Sequence, residues 1–170
     1  MIKRKSVMVT AAVAIAIAAA PGVAAAQATK PAVKASPKGS AAGAVRTVEI
    51  KGTDDMKFSV TSIDAKPGER IRIVLVSVGS MPKIVMAHNW ILLKKGTDEK
   101  AFVNASALAR DTAFIAPAQK ANVLFATSLI GAGEKTEVTI TVPKVAGAYP
   151  YVCSFPGHWA AGMKGTLTVK

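Results

Sequence analysis

The stretch Arg70-Ile71-Arg72-Ile73-Val74-Leu75-Val76-Ser77-Val78 opens with charged and apolar residues in alternation and then turns almost wholly apolar. Alternation sends successive side chains to opposite faces of an extended chain, and an apolar run bounded by turns suits a strand covered on both sides. Thr47-Val48-Glu49-Ile50-Lys51, Glu137 to Val142 and Thr166 to Val169 repeat the period of two. Turn signals stand between them: Lys66-Pro67-Gly68, Val78-Gly79-Ser80, Gly131-Ala132-Gly133 and Pro143. Short strands punctuated in this way predict an all-β sandwich. One segment departs from the pattern. Thr97 fits an N-cap, Asp98 and Glu99 suit a first turn, and an Ala-rich run reaches Arg110, so one inserted helix is predicted with Phe102, Ala105 and Leu108 on its packing face.

The N-terminal quarter reads differently. Lys3, Arg4 and Lys5 precede the apolar run Ser6 to Ala20, and small residues close at Ala24-Ala25-Ala26. That is the pattern of a secretory signal peptide over residues 1–26, and the run is short for a membrane span. Gln27 to Ala44, built from Ala, Lys, Pro, Ser and Gly, reads as a flexible linker. The remaining 45–170 form one expected domain, carried outside the cytoplasm into the periplasm. A retained signal would make the linker a membrane tether. Loss of the signal removes Lys3, Arg4 and Lys5 and lowers the net charge from +12 to +9. The basic residues are scattered without aromatic interleaving, which argues against nucleic acid and leaves an acidic protein partner as the use of the charge.

Cys153 is the single cysteine, so an exported chain has a thiol that no internal disulfide can protect. It is either deeply buried or held by a metal, and its neighbours decide. Cys153, His158 and Met163 share the loop Tyr151-Val152-Cys153-Ser154-Phe155-Pro156-Gly157-His158-Trp159-Ala160-Ala161-Gly162-Met163. The only other histidine is His88, in Met86-Ala87-His88-Asn89-Trp90, near an expected strand start. Thiolate, two imidazoles and a thioether form a soft donor set that suits copper, whereas zinc would want a fourth harder or thiolate ligand. Each residue alone has a plainer role as core or surface; together they point to one copper ion.

These motifs resemble the azurins and auracyanins, small cupredoxins. The likeness runs over Val45 to Lys170. It is densest in Met81 to Trp90, in Leu129-Ile130-Gly131-Ala132-Gly133-Glu134-Lys135, and in Cys153 to His158 with Met163-Lys164-Gly165-Thr166-Leu167. The resemblance implies an eight-stranded Greek-key β-sandwich with a helical flap. It implies His88, Cys153 and His158 as equatorial copper ligands, Met163 as the axial one, and the Ala87 carbonyl opposite Met163. It also implies that Asn89 ties the His88 segment to the cysteine loop. Electrons would pass through the edge of His158 beneath an apolar patch, for which Met81, Met86, Phe155, Pro156, Trp159 and Ala160 are the candidates.

The implied function is single-electron transfer between redox partners, such as a c-type cytochrome or a reductase with an acidic docking surface, and not catalysis. The chain departs from azurins in three respects. Four residues separate His158 from Met163 where azurins have three, no disulfide is available, and Ala87 stands where Gly is common. The longer loop bears directly on the Ala87 contact. A copper chaperone or storage protein of the same fold is the alternative reading, and a thiol enzyme using Cys153 and His158 is a second.

Overall fold

The computed structural model describes residues 45–170; the expected signal peptide and linker lie outside the described residues. The strands are β1 (Arg46–Gly52), β2 (Ser62–Ala65), β3 (Arg70–Ser77), β4 (Ile91–Leu93), β5 (Val123–Ala126), β6 (Lys135–Thr141), β7 (Gly147–Val152) and β8 (Lys164–Val169). They form a three-stranded sheet in the order β1-β3-β6 and a five-stranded sheet in the order β2-β8-β7-β4-β5. The chain leaves β1 for β2 in the other sheet and returns in β3 alongside β1, so β1 and β3 run parallel. β2 and β8 are also parallel, and the remaining pairs are antiparallel. This is the eight-stranded Greek-key sandwich expected from the sequence.

The alternating pattern explains which faces meet. In β3, Ile71, Ile73 and Leu75 point inward, while Arg70 and Arg72 face solvent. They pack with Ile50 of β1 and Ile140 of β6 against Trp90, Leu92, Tyr149, Tyr151, Leu167 and Val169 of the larger sheet. Cys153 and Met163 belong to the same packed cluster, so the loop that carries them grows directly out of the core. β4 is buried along its whole length for a different reason. Leu92 faces the main core, and Ile91 and Leu93 face outward beneath the flap, where they meet Phe102 and Val152.

The flap differs from its sequence reading in detail. Helix α1 spans Glu99–Ser106 and is capped by Asp98, whose carboxylate accepts from the Ala101 N–H at 3.0 Å. Asp98, one residue beyond Thr97, is the N-cap because its charged oxygen satisfies a free first-turn donor. The helix stops well before Arg110, and 3-10 turns follow at Arg110–Thr112 and Pro117–Asn122. Its packing face is Phe102 with Ser106, whose hydroxyl accepts from the Ala116 N–H. Ala105 is exposed and Leu108 is 96% exposed, so neither belongs to that face. Alanine propensity could have carried the helix on, but past Ser106 there was no apolar stripe to bury. Instead the chain folds back through left-handed Ala113 and Phe114, with Phe114 itself buried.

Candidate metal centre

Two pieces of chain form the site. The His88 segment is fastened to the loop that leads from β5 to β6, where the His88 and Ile130 backbones exchange hydrogen bonds of 2.8 and 2.9 Å. Gly52, the last residue of β1, lets the imidazole in. A Cβ there would lie 3.0 Å from ring carbons of His88 and 3.0 Å from Cε of Met163. The second piece is the loop between β7 and β8. Its ends are joined by the Cys153 N–H, which donates to the Met163 carbonyl at 3.0 Å, and Gly157, with φ of +85°, makes the turn that returns His158 inward.

Asn89 joins the two pieces. Its side-chain N–H groups donate to Ser154 Oγ at 2.9 Å and to the Ala113 carbonyl at 3.0 Å, and its oxygen accepts from the Ser154 N–H at 2.9 Å. One wholly buried amide thus connects the histidine segment, the cysteine loop and the flap.

The donor atoms of His88, Cys153 and His158 lie within 4.8 Å of one another, and all three residues are buried. Cys153 Sγ is 3.5 Å from His158 Nδ1, and the Ala87 carbonyl oxygen lies 3.9 Å from the sulfur. The His88 and His158 rings are 5.1 Å apart at their centroids. Met163 is fully buried beside them, its N–H donating to the His158 carbonyl. Burial pushes the Cys153 thiol up to about 12, partly opposed by the backbone N–H groups of Asn89 and Phe155 that donate toward the sulfur. Burial, reinforced by neighbouring His88, lowers His158 to about 4. Burial lowers His88 as well, against the opposing pull of Asp54. At neutral pH the set is therefore a thiol and two neutral imidazoles, which burial tolerates.

One feature of this set calls for a ligand. Both ring nitrogens of His88 are buried without a hydrogen-bond partner. An orphaned buried polar atom costs roughly 1–3 kcal/mol, which a bound metal ion would relieve. Two imidazole nitrogens and a cysteine sulfur, closed off from water, match the donor chemistry of a copper site.

The comparisons with known proteins agree with that chemistry. Residues 44–170 match the model of copper binding proteins of the plastocyanin/azurin family. The chain belongs to that family. Copper is therefore its cofactor, and its fold is the cupredoxin fold. Auracyanin-B of Chloroflexus aurantiacus is 38% identical over 73% of this chain, of which the chain spans 52% of the relative's length. Azurin of Pseudomonas denitrificans is 40% identical over 73% of this chain and 98% of its own. Among solved structures, auracyanin A, "a 'blue' copper protein" of Chloroflexus aurantiacus, superposes with a TM-score of 0.64 at 32% identity. That match covers 75% of this chain and all of the other.

The apolar residues expected around His158 differ in exposure. Met81, Pro156 and Ala160 are exposed, Phe155 is half-buried, and Met86 is buried. Trp159 is half-buried, its Nε1–H donating to Glu99 at 2.7 Å. The sequence reading missed Ile84, Val85 and Leu108, which are 64%, 53% and 96% exposed. With Phe114, Phe155 and Pro156 they line a groove of about 410 Å³ beside the ligand loop. The signal was available in Ile84-Val85, an apolar pair in a loop between turns; Leu108 was hidden by being assigned to a helix face.

Proposed function

We propose that this chain is a one-electron carrier working outside the cytoplasm. In this reading His88, Cys153 and His158 would hold the copper, with Met163 and the Ala87 carbonyl as further donors beside them. The observation that carries it is the buried convergence of three donor atoms within 4.8 Å, with both His88 ring nitrogens left without protein partners. Copper supplies a one-electron couple between its two common oxidation states.

The protein's part is to keep the donors where they are. Asn89 clamps the two ligand-bearing segments, Gly52 admits His88 at close range, and the Cys153–Met163 backbone bond closes the loop. Donors on a packed sandwich relax little between charge states, which is what fast electron exchange requires. The N–H groups of Asn89 and Phe155 aimed at the sulfur stabilise negative charge on it and so tune the potential. Electrons pass through His158, which is 1% exposed and whose ring lies 4.8 Å, centroid to centroid, from that of Phe155, a residue lining the apolar groove. A redox protein with an acidic rim, a c-type cytochrome or a reductase, suits the chain's positive charge.

Full burial of Cys153 supports a carrier over a thiol enzyme, whose nucleophile must reach a substrate. The same burial supports a carrier over a chaperone, which hands its metal on through an accessible ligand. The deciding experiment is to add Cu(II) to the purified chain. An intense visible band from sulfur-to-copper charge transfer is expected, and Cys153→Ser should abolish it. Copper uptake without that band, or a band that survives the substitution, would sink the reading.

A further inference from the structure

The ligand loop is well fastened at its ends, by the Cys153–Met163 backbone bond and by Asn89 on Ser154. Its middle is held mostly to itself. The Ala161 N–H donates to the Gly157 carbonyl at 3.0 Å and the Gly162 N–H to the Trp159 carbonyl at 2.9 Å. Such bonds keep the turn's shape without fixing it to the rest of the molecule.

Two side-chain ties reach it. The exposed Lys57 donates to the Ala161 carbonyl through a long flexible stem. The other tie is rigid. Trp159 Nε1–H donates to Glu99 Oε2 at 2.7 Å, and Lys164 Nζ sits 4.3 Å from the centre of the indole ring. The electropositive N–H edge thus meets a carboxylate, and the electron-rich face meets an ammonium. The ring also packs against the flap cluster of Ile91, Leu93, Phe102 and Val152. Glu99 opens α1 and Lys164 opens β8, so the anchor points belong to two regular elements. His158 is the adjoining residue, and its carbonyl accepts from Met163, so displacing Trp159 moves both.

We propose that Glu99 and Lys164 make Trp159 a clamp that sets the His158 loop in its metal-ready position before any metal arrives. Trp159 and Glu99 are thus positioning residues, linking the helical flap to the centre. The second of the two readouts below rests on the copper reading; the first does not.

In the metal-free chain, amide hydrogen exchange at Ala161 and Gly162 should quicken about tenfold in Glu99→Ala, the loss expected from one charge-assisted hydrogen bond. Trp159→Phe, which keeps an aromatic ring and removes the donor, should do the same. Glu99→Gln, whose amide oxygen still accepts but without the charge, should fall between the parental and alanine rates. In the copper-loaded chain, loss of copper to a chelator should quicken in the same order. Parental exchange rates in Glu99→Ala would overturn the clamp, as would a Glu99→Gln variant as fast as the alanine. A lower melting temperature with loop exchange and copper release both unchanged would reduce the bond to a purely structural one and overturn it too. If the parental chain takes up no copper, the carrier reading fails while metal-free exchange still decides the clamp.

Discussion

At the scale of single residues, the centre depends on side chains that have no alternative partner. Asn89 makes three strong hydrogen bonds while wholly buried, and each partner would be stranded by an apolar replacement. Asn89→Leu should therefore destabilise the chain by about 3 kcal/mol, measured by denaturant unfolding, and shift the reduction potential by voltammetry. A parental potential in a folded variant would show that the clamp on the cysteine loop does not tune the centre. Gly52 is the companion case in sterics. The Cβ of Gly52→Ala would press on His88 and on Met163 at 3.0 Å, tighter than ordinary contact. The variant should fold and bind copper with an altered absorption and faster copper loss, both readable by visible spectroscopy. Both residues show why a motif is more than its ligands: the neighbours of His88 and the last residue of β1 decide where the imidazole stands.

At the scale of elements, the flap was the least legible part of the sequence. Its Ala-rich run carries high helix propensity, yet the helix ends where burial ends, at Ser106. Phe102 is what attaches it, wholly buried against Ile91, Leu93 and Val152. Phe102→Ala should cost about 3–5 kcal/mol by cavity formation, read as a lower unfolding midpoint. A much smaller loss would mean that the flap collapses onto the cavity or contributes little to the fold. The strands divide in the same way. β1, β3, β6 and β8 announced themselves by alternation. β4, with Leu92 facing one cluster and Ile91 and Leu93 the other, has no alternation to show. β5 is half-buried throughout and carries no periodic signal either.

At the scale of the whole molecule, two ion pairs, Glu69 with Arg46 and Glu134 with Lys83, respond to acid. Glu69 is held below the usual carboxylate range: burial alone would raise it, but bonds from Arg46 and the Lys66 N–H outweigh that. Glu134 is lowered by the hydrogen bond from Lys83, then by the Gly131 N–H. A carboxylate with a depressed folded-state pKa adds stability above its ordinary value of 4.5, and that contribution disappears as pH falls through the lower folded value. The share of stability that these two carboxylates contribute should therefore be lost below about pH 4.5, and Glu69→Gln should flatten that part of the acid response in unfolding titrations between pH 5 and about 3. An unchanged slope would remove this pair from the acid response. The surface beside the centre gives a second expectation. Leu108→Glu places on the apolar groove a charge that an acidic partner would repel, and should slow electron exchange with a redox partner roughly tenfold. The visible band should stay as it was; equal exchange rates would take Leu108 out of the docking face.

The sequence by itself determined the class of fold and the chemistry of the centre. Period-two alternation is a local property of each strand, and Cys153, His158 and Met163 sit close enough in the chain for their spacing to be read. Tertiary structure alone decided the rest. That His88 arrives beside Cys153, that Gly52 makes room for it, and that Trp159 reaches Glu99 across sixty residues are facts of packing between distant segments. No local pattern encodes them, because the free energy that places those residues belongs to the assembled core and to no stretch of chain alone.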